Sequence, residues 1–324
     1  MLSYFKSLQP SSVIAFLITF LLLKLPFFFI AIKPTQTILN FWTNTDAITV
    51  FKSPFLSVFI AQICLLGQAI WINYLFQKAD FHEGSSMIPA LYFTIISSLF
   101  PQFNLLSIYI LITFVLLLLL HVFLSIIIKE NSKIECFNAG LLCGVLCLLD
   151  VRFFIFIPIL IWIIYAIKPF KINEYILLVF GLLFTFYIAL SLCYLMDISI
   201  NLSVLKFKLL QFNTPLQNTL NIIIISITLL YLFFSFISLR GILFSTGFKR
   251  RKSIKMLVLL FIGAVLIIAI SGNTDEAALS VLIIPLSIFF ALFMLRIRKK
   301  RLGETLNLIF VFVTFITNIV RIFR

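Results

Sequence analysis

Apolar residues fill this chain in long runs, with no sustained alternation between apolar and polar positions. Eleven runs, at 13–32, 54–76, 87–100, 104–128, 134–149, 153–167, 174–196, 217–239, 254–271, 278–295 and 305–320, are separated by charged residues or by turn residues such as Pro101 and Gly272. A membrane-crossing helix needs roughly 20 apolar residues to traverse about 30 Å of hydrocarbon. Lipid offers the backbone no hydrogen-bonding partner, so each run reads as a helix. The third, fifth and sixth runs are short, and re-entrance of two of them would reduce the crossings to nine or ten. The expected fold is an all-α, polytopic integral membrane helix bundle of about 9–11 transmembrane helices, with residues 1–324 forming one domain. Lys24 and Pro26 interrupt the first run and no small-x-small cleavage pattern follows it, so it reads as a retained span.

Composition excludes a soluble protein. Of the 324 residues 63% are hydrophobic and only 11% charged, against about 25% charged in a soluble domain. The formal charge of +14 reads as membrane topology and anionic-lipid contact, not as nucleic-acid binding. With the amino terminus in the cytoplasm, seventeen of the twenty-five basic residues fall in inside loops. They include the clusters Lys249, Arg250, Arg251, Lys252 and Arg298, Lys299, Lys300, Arg301, in keeping with the positive-inside bias. Cys64, Cys136, Cys143, Cys147 and Cys193 all lie in apolar runs, and no C-x-x-C accompanies them. They read as packing residues, with no metal site. "GILFSTGFK" lacks the spacing and lysine of a phosphate loop, and no Rossmann or H-E-x-x-H motif is present.

The candidate chemistry rests on a few charges near the outer face. In "LCLLDVRFFIFIP" (146–158), Asp150 and Arg152 stand between two runs of about 21–23 Å helical length. A turn between such short helices lies below the membrane surface, where ionisable groups pair or line a watery cavity. Either the two neutralise each other, with Asp150 also capping the next helix, or they open a recessed polar pocket. Lys24 lies about a dozen residues into the first run, just before a proline that can kink the helix and free a carbonyl. It is a candidate partner for a phosphate or an acid, unless the span starts later and leaves it at the interface. Asp46, after Trp42 in the first outside loop, is a candidate general base or ligand to a divalent metal, or else a solvated loop acid. Asp197, Asp275 and Glu276 read as turn and capping residues. His121 and His82 have no ligand-spaced partner and read as core and loop residues.

The stretches 87–107 and 137–183 resemble a family of uncharacterised multi-pass inner-membrane proteins of Bacteroidota. Pro89 with Leu91 and Tyr92, the "SLFP" turn, the Gly140/Gly144 helix, and Lys168–Pro169–Phe170 leading into Glu174 carry the likeness. It implies the inner membrane as location and carries no activity; Asp150–Arg152 is not part of its pattern. A looser likeness is architectural. Many short-looped helices with an acid in the first outside loop resemble glycosyltransferases that use polyprenyl-phosphate sugars. That implies Asp46 as base or metal ligand, and Lys24 and Arg152 as holders of the lipid phosphate; the usual second acid beside Asp46 is missing.

Three functions follow as expectations: an envelope-glycan enzyme or polymerase acting on a polyprenyl-linked substrate at the outer face; a non-enzymatic membrane subunit of an envelope assembly, recognising partners through its basic loops; and a transporter or lipid translocase. A divalent metal belongs only to the first.

Overall fold

The computed structural model describes residues 5, 9–29, 54–82, 84–99, 101–169, 171–197, 219–245, 247–271, 276–297 and 300–322. Among these, eleven α-helices follow one another: α1 (Pro10–Lys24), α2 (Pro54–Lys78), α3 (Ile88–Leu99), α4 (Ile108–Ile128), α5 (Lys133–Leu149), α6 (Phe156–Ile167), α7 (Ile172–Leu195), α8 (Thr219–Ser245), α9 (Phe248–Ser271), α10 (Glu276–Arg296) and α11 (Lys300–Ile322). Seven of these described helices are long and apolar enough to cross a membrane. The chain is an all-α, multi-pass membrane bundle.

Prolines place several helix starts, since an initial N–H has no intrahelical partner to lose. Inside a helix the same chemistry tightens the turn. Pro26 cannot donate to the carbonyl four residues back, and α1 passes into a 3₁₀ turn at Leu25–Phe28. The α2 terminus closes with the pattern expected of a left-handed cap. Asp80 takes φ 53°, its N–H donates to the Gln77 carbonyl at 2.9 Å and that of Phe81 to Phe76 at 3.5 Å. The Phe76 and Phe81 rings then meet at 5.3 Å.

Helix α3 is the core. All twelve of its residues are buried, and it packs against α1, α2, α10 and α11. At 1.5 Å rise it is only about 18 Å long, so it ends inside the bundle and not at a surface. The short third run of the sequence is thus a helix wrapped by protein along its length.

The closest helix pair, α5 with α7, depends on missing side chains. A Cβ on Gly140 would stand 2.0 Å from the Leu178 carbonyl oxygen, and one on Gly181 would stand 2.2 Å from that of Phe137. The backbones touch there because lipid supplies no hydrophobic drive between helices and close van der Waals packing must hold them. One turn along, Gly144 accommodates Thr185, whose hydroxyl donates to the Leu141 carbonyl at 3.1 Å. Cys136, Cys143 and Cys147 of α5 are all buried.

Gly140→Val is expected to force α5 and α7 apart and lower stability by about 3 kcal/mol or more. Gly67→Ala in α2, with nothing within 4 Å of the added carbon, is expected to be neutral or stabilising by up to about 1 kcal/mol. Thermal unfolding in one detergent compares the two.

Candidate functional site

The outward face of α1 is apolar, with Ile14, Ile18, Leu21 and Leu22 exposed to the surroundings of the bundle. Its last residue points the other way. Lys24 is 1% exposed, and its Nζ donates to Ser97 Oγ at 2.9 Å and to Asn104 Oδ1 at 2.7 Å. Ser97 comes from the last turn of α3, and Asn104 from the 3₁₀ turn Pro101–Asn104 that follows it. Asn104 Nδ2 donates to the Ser97 carbonyl at 3.2 Å, Gln62 of α2 reaches Asn104 Oδ1 at 3.4 Å, and Arg321 of α11 donates to the Leu99 carbonyl at 2.7 Å.

These contacts explain why a lysine stands there. The carbonyls that end α3 point away from any further helical turn, and the helix dipole makes that end negative. Asn104 and Arg321 donate to the Ser97 and Leu99 carbonyls, while Lys24, bonded to side-chain oxygens, adds positive charge beside them. The fit is incomplete, however. No ion pair among the described residues includes Lys24, two of its three ammonium hydrogens are accounted for by side-chain oxygens, and the buried Gln62 Oε1 accepts from nothing. Among the described residues, Lys24 is therefore held by neutral groups and no acid pairs with it.

Asp150 and Arg152 behave differently. Asp150 Oδ1 accepts the Arg152 backbone N–H at 3.0 Å, capping the 3₁₀ turn Val151–Ile155, and lies 3.6 Å from Arg152 Nε. Both side chains are half-buried. Mutual neutralisation and capping, one of the two readings of the sequence, describes this geometry. The turn packs on α5, α6 and α9, whereas the partners of Lys24 come from α3 and the turn after it. The two candidates are not brought into one site. A surface groove of about 330 Å³ is lined by Pro158, Ile161, Trp162, Tyr165 and Tyr175, and none of the candidate residues borders it. Asp46, Arg298 and Lys299 lie outside the described residues.

The basic residues gather at the opposite end of the bundle. Lys249 pairs with Asp80, and Arg250 Nε donates to the Asp80 carbonyl at 2.6 Å, tying the start of α9 to the end of α2. Lys252 lies over the Phe248 ring at 4.2 Å, and Arg251 and Arg301 are exposed. A polar lock that residue spacing alone did not reveal sits at the same end. Lys168 Nζ donates to the Glu130 carbonyl and to Ser132 Oγ, each at 2.8 Å, and lies 3.7 Å from Glu174, which accepts from Ser132 at 3.0 Å. Lys129 pairs with Glu135 beside it. The only legible signal was the recurrence of acids just after basic loop residues. His121, expected in the core, is only half-buried, 3.1 Å from Lys78 Nζ and stacked on the exposed Tyr74. No cluster of three or more His, Cys, Asp or Glu residues suited to a metal occurs among the described residues.

Comparison of the chain with protein-family models, with curated proteins and with solved structures returns no match.

If Asp150 acts mainly as a cap, Asp150→Ala is expected to lower stability by about 1 kcal/mol, a typical capping value. Asp150→Asn keeps an acceptor for the Arg152 N–H and should recover most of that loss. Unfolding midpoints of the two variants give the comparison.

Proposed function

We propose that this is a multi-pass protein of the inner membrane, working in cell-envelope biogenesis on a polyprenyl-phosphate-linked glycan, with its amino terminus in the cytoplasm. Lys24 carries the reading. It is a cation buried at the end away from the lysine-rich loops, held by Ser97 and Asn104 and lacking an acidic partner among the described residues. An ammonium in that position favours an anion strongly, because low-dielectric surroundings raise the energy of an unpaired charge. At the depth of the outer leaflet the available anion is a lipid phosphate. Asp46, which follows α1 and precedes α2 in the sequence, takes the role of base in glycan transfer, and a divalent metal enters only if Asp46 works as a ligand. The gathering of Lys249, Arg250 and the Lys168 lock at one end supports the orientation, since basic loops favour the cytoplasmic side and its anionic lipid.

A second reading, a non-enzymatic membrane subunit of an envelope assembly, is favoured by one observation: Asp150 and Arg152 neutralise each other away from Lys24. Partners would then meet the basic face around Arg250, Arg251 and Lys252.

Binding of a short-chain polyprenyl phosphate to the purified protein separates the two. Lys24→Met is expected to weaken it by about ten- to a hundredfold, the range for loss of a hydrogen bond to a charged group. Unchanged affinity would remove the phosphate role. Loss of complex formation on neutralising Arg250, Arg251 and Lys252, with Lys24→Met harmless, would establish the subunit reading in its place.

A further inference from the structure

Helix α11 is amphipathic the wrong way round for a protein in water. Leu308, Ile309, Phe312 and Ile316 face outward, while Asn307, Thr314, Thr317 and Asn318 are buried against the bundle. The outward face suits lipid. The inward face needs a different explanation, because a polar side chain buried without a partner is costly.

Interhelical bonding explains only its two ends. Tyr92 Oη donates to Asn307 Oδ1 at 3.1 Å, and Arg321 reaches the Leu99 carbonyl. Between them the hydroxyls turn back onto their own helix. Thr314 Oγ1 donates to the Val311 carbonyl at 2.7 Å and Thr317 Oγ1 to that of Thr314 at 2.9 Å. Among the described residues, neither the oxygen nor the nitrogen of the Asn318 amide has a hydrogen-bond partner, and Asn307 Nδ2 has none either. Polar groups that hold membrane helices together bond across the interface; here the middle of the stripe does not. The helices that α11 packs against are polar at the same level, with Ser97 and Ser98 buried on α3 and Lys24 on α1.

We propose that α11, with α1 and α3, lines a short hydrated seam that admits water and small neutral or anionic solutes from the Lys24 end as far as Thr314. From Asn318 back to Thr314 the stripe extends about 6 Å at helical rise and its buried face carries hydroxyls and an amide; beyond it Phe310, buried and stacked on Tyr231 at 4.8 Å, closes the face toward Asn307. Arg321 and Lys24 at its mouth place positive charge where a cation would enter, which disfavours cations. The seam does not rest on the phosphate reading of Lys24: its polar stripe belongs to α11, and Lys24→Met leaves it intact.

Cysteine accessibility in reconstituted vesicles tests the seam, in a background whose five native cysteines are replaced by alanine. The thiolate, formed where water reaches it, attacks the methanethiosulfonate sulfur, forming a mixed disulfide and releasing methanesulfinate. Thr314→Cys, Thr317→Cys and Asn318→Cys are expected to react with a small anionic methanethiosulfonate about tenfold faster than the lipid-facing Phe312→Cys and Ile316→Cys, because an uncompensated thiolate is excluded from hydrocarbon. The cationic trimethylammonium analogue should react more slowly at the same positions. Thr→Cys is close to isosteric, so the two threonine positions carry the test even if Asn318→Cys folds poorly. Rates no faster than at Phe312 would overturn the seam, and a preference for the cationic reagent would overturn its selectivity.

Discussion

A helix of twelve residues cannot reach across a bilayer, and α3 is buried along all of them, so the carbonyls at its end must find donors within the protein. Much of the architecture around it follows from that requirement. The 3₁₀ turn after α3 brings Asn104 back to the Ser97 carbonyl, α1 ends in a lysine at the same level, and α11 contributes Arg321 to Leu99. Each of these groups is expensive to bury alone. Together they complete a helix terminus that lipid would leave bare.

The same scarcity of partners explains how the periphery is held. Between apolar helices in lipid, burial of apolar surface supplies little attraction, so α5 and α7 rely on backbone contact at Gly140 and Gly181. Where helices emerge at the lysine-rich end, ionic and hydrogen-bonded ties take over, as in the joining of Lys168, Ser132 and Glu174. Close contact thus operates along the helices and charge pairing at their ends.

The helices were readable because a hydrophobic run in a greasy chain leaves no alternative to a hydrogen-bonded helix. Asp150 as a cap was readable for a related reason, since capping joins residues two apart. The surroundings of Lys24 were not. Ser97 and Asn104 stand 73 and 80 positions away in the chain, too far for local spacing to tie either to the lysine. The inward polarity of α11 was present in the spacing of Asn307, Thr314, Thr317 and Asn318. Its average apolar character hid it, because a run scored by hydropathy does not say which face turns inward. Glu174 likewise opened an apolar run, with nothing in its spacing to tie it to Ser132, 42 positions away.

The two ends of the bundle answer differently to ionic strength. The Lys249–Asp80 pair is exposed, with side-chain accessibilities of 40% and 62%, so dissolved salt screens it over a Debye length of about 10 Å at 0.1 M. Lys24 is held by the neutral groups Ser97 and Asn104, so among the described residues it has no ion pair for salt to weaken. Added electrolyte therefore loosens the tie between α2 and α9 while leaving the terminus of α3 fastened, and the bundle slackens from one end only.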